Sequence, residues 1–173
     1  KAVAACKEQE DAIDQCMADI TEYLVRLSSA ELSERNAGAI TSMMRTVAEL
    51  EEASDCVYRL VMLTERRNRK GHKPFSDDTT LSLKRFTRSI GEFLNFTRDN
   101  LNPPVSLNAL REAEEYESTA DEMRRMLNKA ALSRMQKEGD IKAEMLQIDI
   151  NNQLEKIGNH CLNAIQSGAT AED

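Results

Sequence analysis

The sequence predicts an all-α protein, built as an elongated up-down bundle of about five long helices. Apolar residues recur at the three-then-four spacing of amphipathic helices along most of the 173 residues. No stretch shows the alternation of apolar and polar residues that is typical of a half-buried strand. Aromatic residues make up only 4% and Trp is absent, so the core must consist of aliphatic side chains and Met, which suits packed helices.

The first helix is predicted from about Ala2 to Ser28. Acidic residues concentrate in its first half, where negative charge favours the helix dipole. The serine-containing segment that follows interrupts the apolar pattern and ends the helix. We expect its inward stripe to consist of Ile13, Met17, Ile20, Leu24 and Leu27.

The second helix is predicted over residues 37–67, and either Ser33 or Asn36 can serve as its N-cap. It should end between Asn68 and Gly71, because glycine and the proline that follows stop propagation. We interpret it as the core helix around which the others are arranged. Its inward stripe consists of Ile40, Met43, Val47, Leu50, Val57 and Val61.

The third helix begins after a cap at Ser76 or Asp77 and ends at Asn102-Pro103-Pro104. Proline disfavours helical geometry in the residue before it and cannot continue the hydrogen-bond ladder. The proline pair therefore marks a midpoint of the chain. The inward residues of this helix are Leu83, Phe86, Ile90, Phe93, Leu94 and Leu101.

The fourth helix is predicted over residues 105–137 and the fifth over 141–167, with a turn at Glu138-Gly139-Asp140 between them. Residues 168–173 should fray. The inward residues of the fourth helix are Leu107, Leu110, Met123, Met126, Leu127 and Ala130. Those of the fifth are Ile141, Met145, Ile148, Leu154, Ile157, Cys161 and Ile165.

Composition limits the classes of partner. Charged residues are 31% with a net charge of −7, which argues against nucleic acid as the main partner, because phosphate backbones require a cationic surface. No apolar run approaches the about 20 residues needed to cross a bilayer. The four cysteines form no C-x-x-C pair, and we expect them to be reduced and mostly buried, as in a cytoplasmic protein. The chain begins at Lys1 rather than Met, so we expect it to be a piece of a longer polypeptide.

Pairs of polar or acidic residues four positions apart occur on four of the helices. Residues so spaced project from the same face, and like charges there destabilise a helix by about a few tenths of a kcal/mol. A cation, either a side chain or a metal, would compensate. The pairs are Glu10 with Asp14, Glu51 with Asp55, Glu117 with Asp121, and Glu155 with Asn159.

The positions of these pairs indicate an internal duplication. The pair on the first helix precedes that on the fourth by 117 − 10 = 107 residues, and the pair on the second precedes that on the fifth by 155 − 51 = 104. We therefore predict a first repeat of three helices over residues 1–102 and a second, truncated repeat of two helices over 103–173, in one shared bundle. Antiparallel packing within each repeat would bring the pairs together across the helix seam.

The chain resembles the PhoU family in two segments, Leu50-Glu51-Glu52-Ala53-Ser54-Asp55 and Leu154-Glu155-Lys156-Ile157-Gly158-Asn159-His160. Both look like the L-E-R-I-G-D-H-type signature of that family, which occurs once in each of its tandem three-helix bundles. The stretch TEYLVRLS from Thr21, followed by Glu31-Leu32-Ser33-Glu34, is similar to the PhoU-like tail of bacterial sodium/phosphate cotransporters. The resemblance covers nearly the whole chain.

The resemblance implies an elongated bundle of PhoU type that acts as a cytoplasmic regulatory domain at the inner face of the cell membrane. Its partner would be a membrane phosphate transporter in the same polypeptide, whose phosphate uptake or signalling it modulates. Some members of the family bind iron or zinc on these motifs, and hard carboxylate oxygens also suit other divalent metals. The candidate metal ligands carried over are Glu51, Asp55, Glu155, Asn159, Glu10, Asp14, Glu117 and Asp121.

The chain departs from the family pattern at two points. Asn159 stands where the family has Asp, which removes an anionic ligand from the second set. A sixth helix that would match the third is missing after the fifth.

Each functional reading has a structural alternative. Arg59 follows Asp55 by four residues, so an ordinary ion pair could satisfy that carboxylate. His160 is predicted to be a capped or partly buried histidine rather than a ligand. The methionines Met43, Met44 and Met62 belong either to the core or to an adaptable partner surface.

A basic run follows the second helix. It could contact anionic lipid headgroups or the cytoplasmic face of a transporter, or it could simply complement the negative end of the helix dipole. The candidate partner or membrane surface consists of Arg66, Arg67, Arg69, Lys70 and Lys73.

The sequence favours a binding or regulatory module over an enzyme. Neither histidine follows a Glu by three residues, as a ferritin-like di-iron site requires. No G-x-S-x-G elbow, phosphate-binding glycine loop or Cys/His nucleophile arrangement is present either. The remaining alternative is a helical scaffold that forms homo-oligomers, with no metal and no link to phosphate.

Overall fold

The computed structural model describes residues 2–29, 31–69, 71, 74–101, 105–137 and 140–169. These residues form five α-helices and contain no strand, so the all-α prediction is confirmed. The helices are α1 (Ala2–Ser28), α2 (Glu34–Arg69), α3 (Asp77–Asn100), α4 (Leu107–Gln136) and α5 (Ile141–Ala169). The predicted turns at Asn102-Pro103-Pro104 and Glu138-Gly139, and residues 170–173, lie outside the described residues.

Serine hydroxyls cap three of the helices. Those of Ser33, Ser76 and Ser106 each accept a hydrogen bond from the backbone N–H three residues later, at 3.3, 3.2 and 3.1 Å. The predictions of Ser33 and Ser76 as caps are confirmed. Gly71, just after α2, has φ 63°, the left-handed conformation that glycine adopts readily at a helix end.

Contacts between α2 and α5 show that these helices are antiparallel. Hydrogen bonds join Glu49 to His160 and Ser42 to Ser167, and the residue numbers sum to 209 in both pairs. The contacts between α4 and α5 follow the same antiparallel rule. The predicted up-down arrangement is therefore present.

The central helix of the bundle is α5. It packs against α2, α3 and α4, and its residues Leu154, Ile157, Cys161 and Ile165 are at most 2% exposed. The expectation that the second helix would be the centre is wrong, because α5 is apolar on several faces whereas α2 leaves part of its stripe exposed. Helix α2 connects α5 on one side to α1 on the other.

Helix α3 packs against α4 and α5, and within the described residues it makes no close backbone approach to α1 or α2. The ring of Phe93 stacks on Tyr116 of α4 with a centroid separation of 5.0 Å. Ile90 and Phe93 also lie against Gly158 of α5, where a side chain would contact both. The packing therefore groups α3 with α4 and α5. The division into repeats over residues 1–102 and 103–173, in one shared bundle, stays a prediction.

Several apolar residues expected in the core are exposed. On α1, Leu24 is 4% exposed, but Ile13, Ile20 and Leu27 are about 40% exposed because α1 packs only on α2 among the described helices. Small alanines, rather than the predicted larger residues, form the buried face of α4. The other expected core residues that are exposed are Met43, Leu50, Met62, Leu107, Met126, Ala130, Ile141 and Met145.

The cysteines divide between core and surface. Cys56 and Cys161 are 1% exposed, whereas Cys6 is half-buried and Cys16 is exposed. Two of the four cysteines are buried and two are not, so the prediction that most of them are buried is wrong. None of the helices in the described ranges is long and apolar enough to cross a membrane.

Candidate functional site

The acidic pair of α1, Glu10 and Asp14, lies opposite that of α2, Glu51 and Asp55, as antiparallel packing predicts. The Lys7 ammonium lies 5.4 Å from the centroid of the Tyr58 ring, and the Asp14 charge acts on Glu51. The residue numbers of the Lys7–Tyr58 contact sum to 65, as do those of Asp14 and Glu51, so the antiparallel register sets the acids of α1 opposite those of α2. We call Glu10, Asp11, Asp14, Glu51 and Asp55 the first carboxylate cluster.

Three members of the first carboxylate cluster come from one turn of α1. Oxygens of Glu10, Asp11 and Asp14 lie within 4.8 Å of one another, a spacing that could hold a metal ion. Glu10 is 8% exposed, and Lys7 Nζ lies 2.5 Å from it and 2.8 Å from Asp11. The sequence reading missed Asp11, although its position one after Glu10 and three before Asp14 was a signal for it.

Burial and like charge act on Glu51. Burial raises the pKa of its carboxyl, and the charges of Asp55, Glu52 and Asp14 raise that pKa further, while Arg59 opposes them. Arg59 Nη2 lies 2.6 Å from Asp55 Oδ2, so the predicted ion pair exists. The ionised Glu51 carboxylate is therefore disfavoured in the folded protein, which is the condition that a bound cation would relieve.

The pairs on α4 and α5 also meet, and we call Glu117, Asp121, Glu155 and Asn159 the second cluster. Burial raises the pKa of the Glu117 carboxyl, and the charges of Asp121 and Glu155 add to this while Arg125 opposes it. Both halves of the molecule thus place acids of one helix against acids of the next.

Side-chain cations already satisfy the second cluster. Asp121 accepts from Arg124 at 2.5 Å and from Arg125 at 3.0 Å. The Asn159 amide donates to Glu155 at 2.6 Å. A metal ion would have to displace two guanidinium groups and turn the amide, so the second cluster does not fit a metal. The first carboxylate cluster also holds two cations, Lys7 and Arg59, but it fits a metal better because three of its carboxylates have oxygens within 4.8 Å of one another.

The side chains of the basic run at the end of α2 lie on different faces of the helix. Arg66 and Arg69 are exposed, but Arg67 is only 8% exposed and its guanidinium carbon lies 3.5 Å from the centroid of the Phe75 ring. Arg67 is thus wrongly predicted as surface, because it lies on the face of α2 that turns towards α5. Lys70 and Lys73 lie outside the described residues.

A groove that the sequence reading missed runs along α5 between α2 and α4. Its volume is about 1180 Å³. Tyr58, Met62 and Leu63 contribute apolar surface to it, and Arg66 and Arg69 also line it. The groove could not be found from one helix pattern at a time, because its walls come from three helices.

The described histidine takes no part in either carboxylate group. His160 Nδ1 lies 2.8 Å from Glu49 Oε2, and Asn163 donates to the same oxygen at 3.1 Å. The His160 side chain is 21% exposed, so its prediction as a partly buried histidine is confirmed. These contacts join α5 to α2.

Comparison of the chain with protein-family models, with curated proteins and with solved structures finds no match. The resemblance to the PhoU family therefore depends on the quoted sequence motifs alone.

Proposed function

We propose that this chain is a PhoU-type regulatory module that acts on a sodium/phosphate cotransporter at the inner face of the cell membrane, through protein contacts and a carboxylate-bound metal. The observation that supports the proposal best is that the α1 acids Glu10, Asp11 and Asp14 have oxygens within 4.8 Å of one another, in a helix register that sets Asp14 opposite Glu51 of α2. The motif resemblance implies acids in those positions, and the register of the two helices brings them together.

The chemistry of the first carboxylate cluster supports divalent metal binding. Carboxylate oxygens are hard ligands, suited to Mg, Ca, Mn or Fe. Asp14 and Glu51 come from different helices, so a shared ion would join α1 to α2. Such an ion would also remove the mutual repulsion that disfavours ionised Glu51. The cluster would then couple metal binding to the packing of α1.

The two buried thiols and His160 support a binding role rather than catalysis. Burial raises the pKa of the Cys56 thiol and raises that of Cys161 to about 11. Both thiols therefore stay protonated at neutral pH and are poor nucleophiles. His160 is held by Glu49 between two helices.

Metal analysis tests the cluster. We expect protein purified without chelator to contain bound iron, zinc or manganese by mass spectrometry, and the double variant Glu51→Ala/Asp55→Ala to lose it. Glu117→Ala/Asp121→Ala is the matched control, because it removes the same charges from the cluster that does not fit a metal. Unchanged metal content in the first variant would exclude Glu51 and Asp55 as ligands.

Phosphate transport tests the regulatory part. In cells that express the natural polypeptide containing this chain, deletion of residues 1–173 should change sodium-dependent uptake of radiolabelled phosphate. Uptake that does not differ between the deleted and the complete polypeptide, at equal membrane abundance, would refute the regulatory role.

A helical scaffold that self-associates is the second candidate, and the exposed apolar side of α1 favours it. Ile13, Ile20 and Leu27 recur at intervals of seven residues and are about 40% exposed, the spacing of a coiled-coil seam. Sedimentation equilibrium distinguishes this candidate. A dimer that Ile20→Asp converts to monomer would support it, and a monomer at all concentrations would exclude it.

A further inference from the structure

We propose that a cleft between α2 and α3 binds a small uncharged molecule that consists mostly of an apolar chain, such as a long-chain alcohol. Helices α2 and α3 both pack on α5, but within the described residues they make no close backbone approach to each other. The gap between them is a cleft of about 640 Å³, which lies within the range of about 300–1,000 Å³ that is typical of small-molecule sites. Such a site requires neither metal nor phosphate, so it goes beyond the function proposed above.

The interior of the cleft is apolar. Ile150 of α5 lines it and is 7% exposed, and Val61 of α2 and Leu83 of α3 are half-buried lining residues. Apolar residues make up seven of the twelve described residues of the lining, so an apolar chain that enters the cleft leaves water for an apolar surface. The seven are Ala2, Val3, Leu60, Val61, Phe75, Leu83 and Ile150.

The lining of the cleft has no surplus of charge. Glu65 and Arg67 are the two charged residues among the described residues that line it, and their charges are opposite. The Arg67 guanidinium carbon lies 3.5 Å from the centroid of the Phe75 ring. Burial lowers the pKa of this guanidinium, while the charges of Glu144 and Asp140 raise it, so acids outside the lining already act on Arg67. An ionic ligand would therefore lose its hydration without meeting an unbalanced opposite charge.

The rim of the cleft is polar but uncharged. Thr64, Asn68 and Thr87 line the cleft and are exposed. The Thr64 hydroxyl donates to the backbone carbonyl of Leu60 at 2.9 Å, and its oxygen can still accept a hydrogen bond. A side-chain amide and a second hydroxyl add both donors and acceptors. A hydroxyl at one end of a ligand can thus bond at the rim while the apolar chain enters the interior.

The size of the cleft favours a small molecule over a helix of a partner protein. The α2 wall extends from Leu60 to Asn68, about 12 Å at a rise of about 1.5 Å per residue. A helix of that length with its side chains is about 10 Å across and fills about 900 Å³. The cleft has about 640 Å³, which is too little for such a helix.

Displacement of a fluorescent dye tests the proposal. The dye is N-phenyl-1-naphthylamine, which is uncharged and fluoresces in apolar surroundings. We expect the whole chain to enhance its fluorescence saturably, and octanol and decanol to displace it. Each buried methylene strengthens binding about fourfold, so decanol should act at a concentration at least fivefold lower than octanol. Decanoate and decyltrimethylammonium, which are charged, should compete at least tenfold more weakly than decanol.

Variants of the protein locate the binding. Thr64→Phe/Thr87→Phe places two rings in the cleft and should weaken binding of the dye and of decanol at least tenfold. The matched control Thr41→Phe/Thr119→Phe changes exposed threonines outside the lining and should bind as the parent does. Met62→Asp, in the larger groove between α2 and α4, should also leave binding unchanged. Circular dichroism verifies that each variant is folded.

Three results would overturn the proposal. They are the absence of saturable enhancement, competition by decanoate or decyltrimethylammonium as strong as that by decanol, and undiminished binding by folded Thr64→Phe/Thr87→Phe. The first two are measured on the parent protein, so they do not depend on whether a variant folds. None of the three depends on metal content or phosphate uptake, so failure here and failure of the proposed function are distinguishable.

Discussion

At the scale of single residues, Gly168 shows how closely α5 meets the chain before α4. A Cβ at this position would lie 2.6 Å from Cγ2 of Val105, which is 7% exposed. We expect Gly168→Ala to lower the free energy of unfolding by about 1–3 kcal/mol, as overpacking does. Gly38→Ala on α2 enters open space, so it should raise that free energy by about 0.5–1 kcal/mol through helix propensity. Urea titration measures both changes, and equal effects would contradict the close approach.

The thiols offer a second test at this scale. Cys16 is exposed and should react rapidly with Ellman's reagent. Cys56 and Cys161 are 1% exposed, and their raised pKa values keep them protonated, so they should react only after unfolding. Mass spectrometry of labelled peptides identifies each site. Rapid labelling of Cys161 in the native protein would show that α5 is less enclosed than described.

Glu51 should make stability depend on pH. Its pKa is higher in the folded protein than its ordinary value of 4.5, so the cost of ionising it in the fold is complete above the folded pKa and disappears below the unfolded one. In the presence of EDTA at pH 7, Glu51→Gln should be more stable than the parent by about a few tenths of a kcal/mol. At pH 4 the gain should be lost.

Urea titration at both pH values checks this expectation. The exposed Glu112 of α4 supplies the control, since Glu112→Gln should change stability little at either pH. A parent protein that is more stable than Glu51→Gln at pH 7 without metal would show that Glu51 is not under the stated repulsion.

Single residues also show the limits of sequence reading. Spacing alone predicted that Glu10 and Asp14 share a face with each other, and the structure adds Asp11 to them. Spacing did not reveal that Arg67 faces inward while Arg66 and Arg69 face out. In a run of basic residues on one helix, the face that the neighbouring helix covers determines which side chains point inward and which point to solvent.

At the scale of helices, the boundaries followed from the sequence within about three residues. Caps such as Ser76 and the glycine after α2 are local features, so a local pattern predicts them well. The inward faces were predicted less well, and Leu107 and Met145 are exposed. Alanines took the buried positions of α4 because they allow α3 and α5 to approach closely, and no single-helix pattern contains that information.

A polar seam fixes how α4 meets α5. The Asn151 amide, which is 0% exposed, donates to Asn128 at 2.8 Å. Its own Oδ1 has no hydrogen-bond partner among the described residues. Asn151→Leu should lower the free energy of unfolding by about 1–3 kcal/mol, because it leaves the Asn128 oxygen without its donor.

The double variant Asn128→Leu/Asn151→Leu should recover part of that loss, since neither partner of this bond is then left unpaired, and the Asn152 oxygen that loses the Asn128 amide belongs to a half-buried residue. Urea unfolding of the single and double variants forms a mutant cycle that isolates the coupling. A double variant less stable than either single variant would show that the amide pair stabilises the seam on balance.

At the scale of the whole molecule, the order of packing was the part that sequence could not supply. The spacing of apolar residues along a helix indicates which face is apolar, but it does not indicate which other helix covers that face. Helix α3 therefore packs on α4 and α5 although it follows α2 in the chain. As a consequence, burial differs among the helices. Helix α5 is enclosed by three helices, whereas α1 contacts α2 alone among the described elements.

This difference in burial predicts that backbone amides are unequally protected from hydrogen exchange. Only Glu10 and Leu24 are buried on α1, whereas twelve residues are buried on α5. Segments with few buried contacts open at lower free energy, so amides of α1 should exchange fastest among the helices and those of α5 slowest. Under the metal-binding proposal, manganese chloride should also slow exchange in α1 and the facing part of α2, because an ion held by Asp14 and Glu51 would join them. Exchange in α3 and α4 should not change. Hydrogen exchange followed by mass spectrometry measures each helix separately, and Glu51→Ala/Asp55→Ala should abolish the manganese effect. Equal slowing across α4 and α5 would instead place the ion at the second cluster, against the guanidinium contacts of Asp121.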